Sequence, residues 1–402
     1  MNVVQKYNGG CIDTIDKIKA IAKHIAEIRK EGDGLVIVAG AMGRTTDRLI
    51  KMAQEAGDDI PKSEMDALLA TGEQQTAALL AISLNNLGVP AASMTGVQTE
   101  VITNQYFNNA VRKEVDTEKV EEILGQGKVA VVAGFQGADW EGDMTVPGRG
   151  GSDVTAVAIA AHLGWPCEVY SEEDCLHTID PAVYPQARRL PQITYEEMME
   201  LANLGVDKLE TRSVELAKKY EVELFLGKAL ERDKSKGTYI MNKENLLVED
   251  MPITGISIQE DVTIFTLKNM KNDGKTVAEC FKLLGEMNIN VDMISQQSTG
   301  KDTCSVSFSC THQQGRALKK NIDADQAFAG VTVECEEDLA MISLVGVGMA
   351  THSGVASKVF SVLAANDIKY YHITTSEISI SVTVDMEWKV KAAIALSQAF
   401  EL

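Results

Sequence analysis

The seven cysteines of this chain are scattered, and no two form a C-x-x-C pair. That spacing excludes a recognisable disulfide framework or zinc site, and an odd count is expected to mean reduced, mainly structural thiols. Long hydrophobic runs are also missing. Segments such as 129–132 are the most apolar, far short of the roughly 20 residues that span a bilayer. The opening residues 1–6 are polar and run straight into a strand-like segment, so no signal peptide is expected and a cytoplasmic address follows. Positive charge is scarce as well: 38 Lys and Arg stand against 58 Asp and Glu, a formal charge of −20. Nucleic-acid and anionic-membrane surfaces favour basic patches, so that balance argues against both. A nucleotide is not excluded, because a nest of backbone N–H groups can hold phosphate in an acidic protein.

What the sequence does have is 402 residues, 45% of them apolar, enough for two or three packed domains. The first half alternates strand and helix. Residues 2–6 read as a strand, and 14–29 as an amphipathic helix with Ile15, Ile18, Ile21, Ala22 and Ile25 on one face. Strand 35–39, helix 44–56, a long Ala- and Leu-rich helix 67–87, strand 129–133 and helix 152–163 follow. Short glycine-containing turns between them imply an α/β sheet covered on both faces. The second half changes texture: 256–267 and 303–310 alternate apolar and polar residues with a period near 2. A helix over 277–287 and a strand over 289–295 lie between them. The pattern recurs as strand 340–345, helix 355–366, strands 370–373 and 377–384, and a closing helix from Lys389. Strand–helix–strand–strand, twice, predicts a repeated split β-α-β unit, with the boundary near 247–254.

Four segments could carry chemistry. Gly148-Arg149-Gly150-Gly151-Ser152-Asp153 runs into a helix. Its plain reading is a capped turn. Its sharper reading is an anion site built from helix N–H groups, glycine backbone and Arg149. Gly40-Ala41-Met42-Gly43-Arg44-Thr45-Thr46-Asp47 is either a second anion-binding helix start or a tight turn with a threonine cap. Lys6, followed by Tyr7-Asn8-Gly9-Gly10-Cys11, would neutralise charge on a transferred phosphoryl group, unless it is simply solvated. Glu73, read as early in its helix, is either a ligand contact or a carboxylate favoured by the helix dipole.

In this order, and with a repeated tail, these segments resemble the aspartokinase family over essentially the whole chain. The likeness is carried by Lys6-Tyr7, Ala41-Met42-Gly43 with Thr45-Thr46-Asp47, Gly72-Glu73, Gly134-Phe135-Gln136-Gly137 and the Gly148 to Asp153 run. In the tail, Gly346-Val347-Gly348-Met349 with His352 and Gly354, and Thr375-Ser376-Glu377-Ile378, resemble the family's second ACT module. The resemblance implies an α/β fold: an amino-acid kinase α/β/α sandwich over 1–247, then two ferredoxin-like ACT domains over 255–335 and 336–402. It implies phosphorylation of L-aspartate by ATP with Mg²⁺, regulation by lysine or threonine, and a homodimer or higher oligomer joined through ACT sheets. A catalytically impaired, amino-acid-binding paralogue is the alternative.

By the family pattern, Lys6 and Asp153 would organise the phosphoryl group. Thr46, Glu73, Arg149, Gly150 and Ser152 would hold aspartate, with Glu73 on its ammonium. Gly9, Gly10, Ser171, Glu172, His177 and Lys228 would meet the nucleotide. Asn288, Asn290, Asp292 and Gln296 would meet the effector, and no side chain is assigned to a metal. The departures gather on the nucleotide side: Asn8, Cys11, Glu172, Cys175, His177 and Ala182 stand where the family has Gly, a hydroxyl residue, Asp, Gly, Tyr and Arg. The aspartate side keeps the pattern better.

Overall fold

The computed structural model describes residues 2–402 apart from 31, 100, 104–111, 116, 140, 142, 147, 149, 174, 243–250, 288, 290, 292, 326 and 327. The chain divides into two compact units, Met1–Thr178 with Arg188–Glu249, and Ile179–Ala187 with Asp250–Leu402.

The first unit is organised by an eight-stranded sheet. From one edge its strands are Gln192–Thr194, Thr238–Met241, Leu224–Lys228, Cys167–Ser171, Val3–Tyr7, Leu35–Ala39, Val129–Ala133 and Ala91–Met94. Only the Leu224–Lys228 and Thr238–Met241 pair is antiparallel. Leu35–Ala39 and Val129–Ala133 are apolar at every position and buried along their whole length, the pattern of strands covered on both faces. The sheet packs Ile18, Ile21 and Ile25 of helix Ile15–Ile28 and Leu80 and Leu84 of helix Lys62–Asn86 into one core.

Chain order reverses at Val3–Tyr7. Its neighbours are the next strand, Leu35–Ala39, and a much later one, Cys167–Ser171. A crevice beyond the carboxyl ends of parallel strands at such a reversal is where open α/β sheets bind ligands.

Two local expectations change. The long helix begins at Lys62 behind Pro61, so Glu73 sits near its middle and gains nothing from the helix dipole, which acts only over the first turn. The polar start, residues 62–66, hid that boundary. Residues 179–187, including Ala182, cluster with the second unit, where Val183, Tyr184 and Ala187 pack beside Ile253 and Ile256.

The second unit holds a six-stranded sheet in the order Ile294–Ser298, Thr303–Thr311, Gly255–Lys271, Thr332–Val345, Ser379–Asp385, Tyr370–Thr375. Every neighbour pair is antiparallel. The two long central strands serve both repeats. Residues 262–271 pair with Thr303–Thr311, whereas 339–345 pair with Ser379–Asp385. Register shifts between Gln259 and Ile264 mark the handover, with Asp261 and Asp338 in left-handed backbone at φ 60° and 59°. Each repeat has its own core, one around Phe265 and Phe308, the other around Ile342 and Val382.

Helix His312–Ala324 has no clear helical signature in the sequence, because Gln313, Lys319, Lys320 and Asn321 dilute its apolar face. Its start was nonetheless written in Thr311-x-x-Gln314, a capping box that forms in full. All seven cysteines are free thiols, six of them buried.

Candidate active site

Lys6 is the fourth residue of the central strand Val3–Tyr7, in register with Val38 on one side and Val169 on the other. Flanking apolar strands bury its stem. Its ammonium emerges at the strand's carboxyl end, where it pairs with Asp153 Oδ1 and donates to Asn8 Oδ1. The Lys6 and Asp153 side chains are each 8% exposed.

Asp153 lies in the first turn of helix Gly151–Leu163, where backbone N–H groups favour a carboxylate. The helix is not opened by a capping side chain, as the plain reading of this turn supposed. Its N-cap is Gly150, in left-handed backbone at φ 67°, after Gly148 at φ 79°. A Cβ at Gly150 would come 2.4 Å from the Glu210 Cβ, so glycine is required for conformation and for space. The Glu210 N–H reaches Asp153 Oδ2 at 3.5 Å. Burial first, then the Asp153 charge, raises the Glu210 carboxyl above its ordinary pKa. Ser152 packs on Gly134, where a Cβ would meet its Oγ at 2.6 Å. Arg149 lies outside the described residues.

Glu73 is 4% exposed, and its Oε2 has no hydrogen-bond partner among the described residues. Burial pushes its pKa up to about 8, against the pull of a hydrogen bond from the Ala41 backbone. That contact depends on Gly72, where a Cβ would stand 3.1 Å from Ala41 Cβ and 3.3 Å from Thr45 Cγ2. The 40–43 loop is tied in turn to the first glycine turn, since Gly43 N–H donates to Gly9 O at 3.0 Å. The next helix, Thr45–Ala56, has Arg44 at its N-cap and no side-chain cap, so the expected threonine cap does not form. Thr46 is half-buried in its first turn. Lys6 and Asp153 are thus in direct contact, while Glu73 and the Thr46 helix start are connected to the end of the same strand by the 40–43 and Gly9 turns.

Gly9 and Gly10 open a short 3₁₀ turn directly after the strand. A Cβ on Gly9 would meet Ala41 O at 2.6 Å, and one on Gly10 would meet Glu172 Oε2 at 2.7 Å. Glu172 Oε1 accepts from Lys17 Nζ at 2.8 Å, and the same ammonium reaches Gly10 O at 2.8 Å and Asp13 Oδ2 at 2.9 Å. Hydrogen bonds to Glu172 and then Asp13 hold the Lys17 pKa above its ordinary value. Ser171, at the end of its strand, exchanges hydrogen bonds with the Glu173 backbone at 3.1 and 3.2 Å. Exposed Lys228 sits opposite it in register. Ser171, Glu173, Cys175 and Lys208 line a small cleft with Val169 and Leu226, and Lys208 pairs with Glu173. His177 pairs with Arg189 through an isolated antiparallel backbone bridge, and its ring nitrogens lie 3.9 Å from Cys175 Sγ. In the second unit, Gln296 is exposed on the edge strand Ile294–Ser298 and donates to Asn272 Oδ1 at 3.4 Å. Asn288, Asn290 and Asp292 fall outside the described residues.

Sequence reasoning missed Lys17, Glu173, Lys208 and Glu210. Lys17 reads as part of a solvated helix face, and Glu210 lies 57 residues from its partner Asp153, with no local pattern linking them.

A mostly parallel sheet whose chain order reverses at Val3–Tyr7, a buried lysine and aspartate at the end of that strand, and a separate antiparallel sheet built from two repeats are the features of an amino-acid kinase followed by ACT-type modules. Residues 1–228 match the amino acid kinase family and residues 342–400 match the ACT domain. The aspartokinase of Bacillus sp. (strain MGA3) is 40% identical over 404 residues, covering 100% of this chain and 97% of the relative. That of Geobacillus stearothermophilus is 39% identical, with the same coverage. The crystal structure of E. coli aspartokinase III with aspartate and ADP superposes with a TM-score of 0.84 at 22% identity, covering 100% of both chains. The chain belongs to the aspartokinase family.

Proposed function

We propose that this protein transfers the terminal phosphoryl group of ATP to the side-chain carboxylate of L-aspartate, giving 4-phospho-L-aspartate. The observation that carries this reading is the buried Lys6–Asp153 pair at the sheet's reversal point, linked through the Gly9 and 40–43 turns to a buried, underpartnered Glu73. A carboxylate is already a competent nucleophile, so the site must supply positioning and charge neutralisation rather than a strong base. Lys6 supplies a cation for the transferring group. The helix start at Gly150 and Ser152, together with Arg149 and Thr46, receives the aspartate carboxylates. Glu73 offers its unpartnered Oε2 as acceptor to the substrate ammonium.

Gly9, Gly10 and Lys228 fit a nucleotide, giving close backbone approach and a cation at the strand ends. Among the described residues no three His, Cys, Asp or Glu side chains gather as a metal site. Mg²⁺ would be held mainly by the nucleotide phosphates. Residues 1–247 form the catalytic domain in this reading, and 255–335 and 336–402 the two sensing regions. Lysine or threonine is the effector, as products of the pathway that 4-phospho-L-aspartate opens. E. coli aspartokinase III has been crystallised with lysine and aspartate. The two edge strands, Ile294–Ser298 and Tyr370–Thr375, leave Ile294, Tyr370 and Ile373 exposed, which supports a dimer formed by edge pairing. No described helix is long and apolar enough to cross a membrane, in keeping with a cytoplasmic enzyme.

A coupled ADP-release assay with L-aspartate and Mg-ATP tests the reading. Aspartate-dependent ADP formation is expected. Aspartate binding in calorimetry without any turnover would overturn it in favour of an amino-acid-binding paralogue.

A further inference from the structure

The turn that should receive nucleotide phosphate is already facing an anion of the protein's own. Glu172 follows Ser171 at the carboxyl end of Cys167–Ser171, the strand beside Val3–Tyr7. Its Oε2 stands 2.7 Å from where a Cβ on Gly10 would be. The absent side chain has thus made room for a carboxylate against the glycine turn. Lys17 holds that carboxylate with one hydrogen bond, to Glu172 Oε1, and donates two more, to Asp13 Oδ2 and Gly10 O. One ammonium therefore clips two carboxylates and the turn together. Asn8 Oδ1, two residues before Gly10, covers the Lys6 ammonium on the other side.

A carboxylate cannot donate to phosphate, and two anions this close to one turn repel each other. We propose that Glu172 is an internal competitor of the nucleotide: phosphate displaces it from the Gly9–Gly10 turn, and Lys17 passes from Glu172 to the phosphate. This rests on the kinase reading and assigns Glu172 a role opposite to that of a nucleotide ligand. Free protein sits in the Glu172-closed state, so apparent nucleotide affinity is reduced by the fraction of time that state is occupied. The Lys17 and Glu172 side chains are 41% and 62% exposed, so the clip is weak and the effect modest.

The test compares full-length wild type, Glu172→Gln, Lys17→Met and the double variant, using ATP KM in the ADP-release assay and ATP binding by calorimetry. Exposed pairs of this kind alter equilibria by about two- to five-fold, so Glu172→Gln should lower the ATP KM by that factor. Aspartate KM should not move. Lys17→Met should raise the ATP KM by a similar factor, and in its background Glu172→Gln should recover less than half of its gain. Turnover with an unchanged or raised ATP KM in Glu172→Gln overturns the proposal and leaves the kinase reading standing. Absence of turnover in every variant overturns the kinase reading instead. Calorimetry then decides the present point, and equal ATP affinity in wild type and Glu172→Gln would end it.

Discussion

Lys6 and Asp153 form a buried ion pair that joins the end of the central strand to the first turn of helix Gly151–Leu163. Desolvating two charges is costly, and removing one partner of such a pair leaves the other uncompensated, at about 3–5 kcal/mol. Asp153→Asn and Lys6→Met should each lower stability to denaturant and reduce kcat by about 10²-fold or more, the scale of lost preorganised charge. The double variant Lys6→Met with Asp153→Leu should recover much of the stability and none of the activity. If it recovered activity too, the pair would be structural only.

Glu73 makes a prediction about pH. Its folded pKa of about 8 lies above the ordinary value of 4.5 because burial disfavours the charge. The folded state therefore holds a proton that the unfolded chain releases. The stabilisation is complete below pH 4.5 and is lost as pH rises towards 8. An arriving substrate ammonium reverses the preference, so aspartate binding near pH 7 should expel a proton and tighten as pH rises towards 8. Calorimetry in two buffers of different ionisation enthalpy reads that proton directly. Glu73→Gln should abolish the buffer dependence and flatten stability over the same window. Buffer-independent heats in the wild type would rule out this account.

Much of this was legible in residue order alone. Strands Leu35–Ala39 and Val129–Ala133 are apolar throughout and fall where the sequence puts them, because a strand buried on both faces leaves no freedom in its pattern. The Gly148 to Asp153 run marked a ligand-type turn for a similar reason: positive φ and close approach leave few alternatives to glycine. What stayed hidden depends on contacts between distant residues. Glu210 beside Asp153 and Lys17 beside Glu172 carry no periodic or local signal, and the motif that contains Gln136 does not reveal which two segments it joins. The two long shared strands also defeated a linear reading, since one strand pairs in both repeats and the division runs through it.

Gln136 is one of those hidden links. Fully buried, it donates from Nε2 to Ala70 O at 2.6 Å and accepts from Gly96 N–H at 3.0 Å. Ala70 sits one turn before Glu73 on the same helix, so Gln136 fixes the height at which Glu73 meets the Ala41 loop. Gln136→Leu would leave the buried Gly96 N–H without its partner, at about 1–3 kcal/mol, and would remove the bond to Ala70 O, which keeps its helical partner. Stability should fall accordingly, and aspartate KM should rise more than ATP KM. Equal shifts in the two constants would mean general loosening rather than misplacement of Glu73.

Asn8→Gly acts on the opposite side of the same lysine. Asn8 has φ −69° and ψ 154°, extended backbone that glycine adopts without strain, so the substitution removes the side chain and little else. With it goes the oxygen that accepts from Lys6 Nζ, and an ammonium donor is released toward an incoming phosphoryl oxygen. Hydrogen bonds to charged groups are worth about 1.5–3 kcal/mol, but Asp153 still holds the ammonium, so only part of that is recovered. The expected result is a fall of about threefold to tenfold in ATP KM with aspartate KM unchanged, measured by steady-state ADP release. A rise in ATP KM would mean that Asn8 orients Lys6 for catalysis, and the side chain would then be a positioning group rather than a cover.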